Sequence, residues 1–276
     1  MDVAADLKLA LALAELGDRV ALDCRSRRAH VRTKADGSPV SDADVEVERA
    51  IVDRLASERP DDAVLSEECG SCGGCGPRRW LLDPIDGTTR YLAGGRDWGV
   101  HVALEIAGRV AAGVITRPTE GRRWWAAEGL GAFTGGSHAP RRRLRVSTTT
   151  RLVDARVGGL VDPRSLAAET LAGGACWVDD SVSIMAAFLD GRVDAVLDEG
   201  GEAWDRAPAM LLTVEAGGRW HTNDPRNPFE ARWVVYTGPG LDREPLAKAM
   251  TAVDSRPTGA PAPADGRAAA VTRRPA

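Results

Sequence analysis

No window of this 276-residue chain approaches the roughly 18 uncharged apolar residues of a membrane-spanning helix, which argues against a transmembrane protein. The chain also lacks a surplus of positive charge. Its 36 basic residues face 40 acidic ones, a net charge of −4, so no global field would hold nucleic acid, and Arg141-Arg142-Arg143 reads as a solvated loop. Met1-Asp2-Val3-Ala4-Ala5-Asp6 has acids where a secretory leader carries Lys or Arg, so the expectation is a cytoplasmic protein. Five cysteines are few and odd in number, against a disulfide framework and in keeping with a reducing compartment. Three of them, Cys69, Cys72 and Cys75, share a Gly-rich stretch. Structural zinc takes four ligands, and His30, His101, His138 and His221 are all remote in sequence, so the stretch reads as a flexible loop, with a zinc or redox-sensitive loop as the alternative.

What is present begins with 43% hydrophobic and 28% charged residues, the composition of a globular protein long enough for two packed halves. The densest chemistry lies in Trp80-Leu81-Leu82-Asp83-Pro84-Ile85-Asp86-Gly87-Thr88-Thr89. Trp80 to Leu82 reads as a buried strand that Pro84 stops, because proline has no N–H for the ladder. Asp83 and Asp86 then sit on the turn leaving it. Oxygen ligands without histidine or cysteine in the motif select Mg²⁺ or Mn²⁺ over Zn²⁺. Gly87 lets the backbone approach a ligand, Thr88 and Thr89 offer hydroxyls, and a helix starting here would point N–H groups at a phosphate. Alone, such a string is also an ordinary turn.

Two further acidic segments frame it: Ser66-Glu67-Glu68 closes a short strand upstream, and Trp204-Asp205 opens an apolar helical stretch downstream. In this order and spacing the three resemble the acidic motifs of the inositol monophosphatase family. The resemblance runs from about Asp6 to Met250. It takes in Lys34, the Asp36-Gly37-Ser38-Pro39 turn, Val40-Ser41-Asp42-Ala43-Asp44, the Arg122 to Phe133 hairpin, Gly191-Arg192-Val193-Asp194-Ala195 and Glu215-Ala216-Gly217-Gly218. Leu9 to Ala14, Lys34 to Glu48 and Arg-Trp-Trp-Ala-Ala are most similar to the family's actinobacterial histidinol-phosphate phosphatases.

The resemblance implies a mixed α+β and α/β fold, a layered αβαβα sandwich, and a metal-dependent phosphomonoesterase using two or three Mg²⁺ and sensitive to lithium. It implies that Glu67, Asp83 and the Ile85 carbonyl hold one ion, and Asp83, Asp86 and Asp205 a second. Thr88 paired with Asp44 would orient or deprotonate water, Glu67 completing the catalytic set, while the Gly87 and Thr88 amides receive the phosphate. Asp86, Asp180 and Asp198 would face substrate. The partner is a small phosphate monoester, and a homodimer is compatible with the family. Histidinol phosphate is the expected substrate, since acids on the rim suit its amine. The alternatives are an inositol or related sugar or cyclitol phosphate, and a non-enzymatic subunit that binds a phosphorylated metabolite.

Each residue has a plainer role available. Asp44 and Asp205 fall in first helical turns, where an acid is favoured anyway. Lys34 and Glu68 suit solvent as well as the site, Trp204 suits packing, and His101, in an alternating strand, reads as a core or sheet residue. Arg90-Tyr91 replaces the family's usual Asn-Phe and would bring a positive charge to the entrance. Pro208 is placed in the first turn of a helix capped by Asp205.

Periodicity predicts helices over 2–24, from Ser41 or Asp42 to about 57, 163–172, 181–189, 205–216 and 242–253. It predicts strands at 63–65, 79–83, 98–106, 110–116, 123–127, 156–160, 176–178, 193–197, 219–221 and 233–236, with Gly108-Arg109 as a hairpin turn. Residues 1–142 form the half with the main metal motifs, 143–253 the half with Trp204-Asp205, and 254–276 a disordered tail.

Overall fold

The computed structural model describes residues 2–27, 31–33, 39–136, 139–161, 174–178 and 183–254. Helix α1 (Val3–Arg25) is capped by Asp2, whose Oδ1 accepts from the Ala5 N–H at 3.0 Å. Its buried stripe is Leu9, Ala10, Leu13 and Ala14, with Val3, Leu7 and Leu11, which helical spacing would also place on that face, only half-buried. After the short ribbon β1 (Val31–Thr33) and β2 (Pro39–Ser41) comes α2 (Asp42–Glu58), which starts at Ser41: the Ser41 N–H and hydroxyl both donate to Asp44 Oδ2, at 2.7 and 2.6 Å.

An eight-stranded sheet follows. Its strands are β3 (Ala63–Ser66), β4 (Gly70–Gly73), β5 (Arg78–Asp86), β6 (Gly99–Ile106), β7 (Arg109–Arg117), β8 (Arg122–Ala127), β9 (Gly131–Gly136) and β10 (Ala139–Arg143), with the five-residue helix α3 (Thr88–Leu92) after β5. The spatial order is β10-β9-β8-β7-β6-β5-β3-β4, and of these neighbours only β3 and β5 run parallel. A second sheet, in the order β12-β11-β13-β15-β14, is built from β11 (Arg156–Leu160), β12 (Cys176–Trp177), β13 (Ala195–Glu199), β14 (Arg219–Thr222) and β15 (Trp233–Thr237). The remaining described helices are α4 (Ile184–Leu189), α5 (Ala203–Glu215) and α6 (Glu244–Asp254).

Side-chain alternation stacks these elements in five layers. Trp80, Leu82, Val100 and Val114 pack with α1 and α2 on one face of the large sheet. Leu81, Ala103, Ile115 and Trp124 turn to the other face, against α4 and α5. Beyond those helices lies the second sheet, whose far face packs Val157, Leu197 and Val235 against Leu246 and Met250 of α6. This is the expected αβαβα sandwich. Helix α5 sits close to the sheet because Gly113 has no side chain: a Cβ there would lie 3.0 Å from Pro208 Cα.

Several sequence expectations change. Pro84 does not stop its strand; β5 continues to Asp86, and a register shift against β6 between Asp83 and Asp86 lets the ladder pass the missing N–H. The Cys69–Cys75 segment is not a loop throughout, since Gly70 to Gly73 pair with β3, glycines with φ of +68° and +81° at either end allowing the tight return. All five cysteines are free, and among the described residues none belongs to a metal-like cluster. Arg141 to Arg143 lie in the exposed edge strand β10, where Arg141 stacks 3.8 Å from the Phe133 ring centroid and Arg142 pairs with Asp190 at 3.2 Å. The β6–β7 turn is Ala107-Gly108, both at positive φ, while Arg109 already pairs with Ile106. Helix α5 is capped by Glu202, so Pro208 falls in its second turn, where it removes the N–H that would bond the Trp204 carbonyl. The helix expected at 163–172 and the tail lie outside the described residues.

One buried acid gives the second sheet a pH-dependent tie. Asp194, 3% exposed, accepts from Thr149 Oγ1 at 2.8 Å, the Arg156 N–H at 2.6 Å and the Ser147 hydroxyl. Burial disfavours its charge, but these donors prevail and hold its carboxyl below the usual range. A depressed folded value gives stability that is complete above the unfolded value of about 3.9 and lost as pH falls through the folded one. Asp194→Asn is therefore expected to cost about 1–3 kcal/mol at pH 7. Urea midpoints should differ at pH 7 and draw together as pH falls below about 3.9; an unchanged midpoint at pH 7 would refute this.

Candidate active site

The parallel pairing of β3 and β5 brings two strand ends together, and the site is built on them. Glu67 directly follows β3 and anchors by its own N–H to the Leu82 carbonyl at 3.2 Å. Asp83 and Asp86 close β5. Gly87 then turns the chain at φ 85°, a left-handed conformation that suits glycine, and Thr88 opens α3. From across the sandwich, the first turn of α5 supplies Asp205, whose Oδ2 accepts from the Glu202 N–H at 3.0 Å. Glu67, Asp83, Ile85, Asp86, Gly87, Thr88 and Asp205 line one cavity of about 420 Å³, together with Glu202 and Trp204.

These carboxylates work against one another. Burial, then the charges of Glu67, Asp205 and Asp86, drive the Asp83 carboxyl well above its ordinary value. Burial and Asp86 push Asp205 up to about 7, against the pull of His101. Asp86 is the exception: burial disfavours its charge, but His101 and Arg117 outweigh this and hold it low. Asp83 Oδ1 is buried without a hydrogen-bond partner among the described residues. Converging acids with an orphaned buried oxygen fit a divalent cation, which would relieve the repulsion and take the free lone pairs.

Behind the site, Asp44 Oδ1 accepts from the Thr88 hydroxyl at 3.1 Å, and the Ile85 carbonyl lies 3.0 Å from the same hydroxyl. Burial raises the Asp44 carboxyl, opposed by its bonds from Ser41 and Thr88. Thr88 is thus a hydroxyl poised between the cavity and a fully buried base.

Two residues at the site were not legible from sequence. His101 lies opposite Asp83 in the β5–β6 register and is 6% exposed, with Nε2 3.3 Å from Asp86 Oδ2 and Nδ1 3.8 Å from Asp205 Oδ1. Arg117, at the end of β7 and 1% exposed, donates from Nη2 to Asp86 Oδ2 at 3.0 Å. The strand alternation places His101 on a buried face but does not say which acids face it; a fully buried arginine at a strand end leaves no sequence signal.

A second cavity of about 250 Å³ shares Asp86 and Asp205 with the first and runs along His101, Arg117, Met185, Asp198, Glu199 and Tyr236. Asp198 reaches it, but not as a free charge: Oδ2 accepts from Arg206 Nε at 3.0 Å and Oδ1 from the Gly201 N–H at 3.2 Å. Asp180 and Lys34 lie outside the described residues. Arg90 is exposed on α3 and lines neither cavity. Glu68, through its backbone N–H, bonds Glu48 Oε2 at 2.9 Å. No helix among the described residues is long and apolar enough to cross a membrane.

The sequence profile described as the inositol monophosphatase family matches residues 2–255. A Streptomyces griseus protein named glucose-1-phosphate thymidylyltransferase is 49% identical over 86% of this chain and 93% of its own. A histidinol-phosphatase of Streptomyces coelicolor is 36% identical over 80% of this chain and 88% of its own. Among solved structures, the Thermotoga maritima IMPase superposes with a TM-score of 0.78 at 26% identity, covering 92% of this chain and 98% of that one.

Proposed function

Since the chain belongs to the inositol monophosphatase family and is a phosphoric monoester hydrolase, we propose that it is Mg²⁺-dependent, with histidinol phosphate as its best substrate. The observation that carries the metal reading is the buried, mutually repelling set of Asp83, Asp86 and Asp205, with Asp83 Oδ1 unpartnered. Glu67, Asp83 and the Ile85 carbonyl would hold one ion, and Asp83, Asp86 and Asp205 another. Bound there, divalent cations acidify water and neutralise phosphoryl charge. Glu67, Asp83, Asp86 and Asp205 carry four negative charges when ionised and Arg117 returns one, so a single divalent ion leaves the site negative before a phosphate enters. Charge balance favours at least two.

The chain's own groups do the rest. The Thr88 hydroxyl can take a water proton while passing its own to Asp44 Oδ1, whose burial raises its affinity for protons. The Gly87 and Thr88 amides, at the start of α3, suit the phosphate oxygens. Arg117 holds Asp86 in place through a charge-assisted bond.

Support for histidinol phosphate comes from the 36% identical relative of that name and from Glu199 on the second cavity, an acid outside the metal set whose partner, Arg232, lies 3.8 Å away. A sugar or cyclitol phosphate is the second reading, favoured by the pairing of Asp198 with Arg206, which takes a free charge from the second cavity. Phosphate release under Mg²⁺ from histidinol phosphate, inositol 1-phosphate and glucose 1-phosphate separates the two. We expect histidinol phosphate to have the highest kcat/KM and Glu199→Gln to narrow its lead by about 1–3 kcal/mol. A clear lead for either cyclitol or sugar ester would transfer the assignment and leave the hydrolase chemistry standing. Asp198→Asn is a poor probe, since it strands buried Arg206 and destabilises the fold.

A further inference from the structure

The motif around Asp83 contains only oxygen donors, but the fold adds a nitrogen from the neighbouring strand. Ligand atoms of Asp83, Asp86, His101 and Asp205 all lie within 4.8 Å of one another. Two donors on opposite sides of one small divalent ion are separated by roughly 4.2 Å, so a slight inward movement brings these four onto a common ion. His101 is 94% buried by its 6% exposure, and neither ring nitrogen makes a directed hydrogen bond among the described residues. A histidine serving as a fixed cation between two acids would align N–H groups on both. Here Nε2 is off-line from Asp86 at 3.3 Å, and Nδ1 is 3.8 Å from Asp205. Arg117 meanwhile supplies a well-aligned charge-assisted bond to Asp86 at 3.0 Å.

We propose that His101 is a nitrogen ligand to the metal held by Asp86 and Asp205, and that it biases this position from Mg²⁺ toward Mn²⁺. Imidazole is a softer donor than carboxylate, and Mg²⁺ accepts it less readily than Mn²⁺ does. The inference rests on the metal-dependent reading above and adds one residue and one selectivity to it. It also amends the hard-oxygen expectation, which counted only donors adjacent in sequence.

Electron spin-echo envelope modulation on the full chain loaded with one equivalent of Mn²⁺ tests it without relying on turnover. The native protein should show ¹⁴N modulation that changes to ¹⁵N on labelling with ¹⁵N-histidine. The signal should persist in His221→Gln and disappear in His101→Asn, with His101→Gln as the substitute if the asparagine variant does not fold. In competition titrations, loss of the imidazole should lower the Mn²⁺ over Mg²⁺ affinity ratio by about tenfold. Tightly bound Mn²⁺ with no histidine nitrogen coupling, or an affinity ratio unchanged by loss of His101, would overturn the ligand role and leave the metal-dependent reading intact. Failure of the native chain to bind Mn²⁺ or Mg²⁺ would overturn both.

Discussion

Asp83→Asn is expected to reduce turnover by roughly 10³-fold and, in metal-free protein, to raise stability. Both effects come from one cause. Asp83 is 3% exposed, its Oδ1 has no partner among the described residues, and burial together with Glu67, Asp205 and Asp86 makes its charge costly. An amide removes that charge and offers N–H groups to the neighbouring acids, a gain of about 1–3 kcal/mol. The same amide is a poor ligand for a hard cation, so Mg²⁺ should stabilise the parent far more than the variant. The pH dependence has a definite sign. Asp83 and Asp205 are raised in the fold, Asp205 to about 7, above an unfolded value of about 3.9. Metal-free parent protein should therefore gain stability as pH falls from about 8 toward 5, and the variant should show a shallower gain. Thermal melts with and without chelator read all of this; a variant less stable than metal-free parent at pH 8 would contradict it.

Thr88→Ala is expected to lower kcat by about 10²–10⁴-fold with little change in fold, while Thr88→Ser retains most activity. The hydroxyl lies 3.1 Å from Asp44 Oδ1 and 3.0 Å from the Ile85 carbonyl, so its removal interrupts the path from the cavity to the buried carboxylate. Asp44→Asn should be similarly damaging, because an amide cannot accept the relayed proton, though it also loses the Ser41 cap of α2. Steady-state kinetics at saturating Mg²⁺ with circular dichroism separates the two losses. Native kcat in Thr88→Ala would remove Thr88 from the chemistry.

The residues that reach the cavity are mostly those whose roles depend on local sequence. Asp83, Asp86, Gly87 and Thr88 are contiguous or nearly so, and their geometry follows from a strand, a left-handed glycine and a short helix. Glu67 and Asp205 are distant in sequence, but each is fixed by a nearby boundary: the end of β3 and the first turn of α5. His101 and Arg117 depend instead on β6 and β7 pairing beside β5, a register no local pattern specifies. Asp198 shows the converse. It lines the second cavity, but its charge is paired by Arg206, eight residues on, which reaches back from α5 to the end of β13. Pro84 misleads for a related reason, since its cost to the ladder is absorbed by a register shift that only the partner strand reveals.

The central claim is that converging acids on the β3 and β5 ends and the start of α5 serve metal-dependent phosphate-ester hydrolysis. Its most direct test is phosphate release from histidinol phosphate by the parent protein in excess chelator, followed by graded return of Mg²⁺. Turnover should vanish on chelation and return with added Mg²⁺; turnover undiminished in chelator would contradict the account.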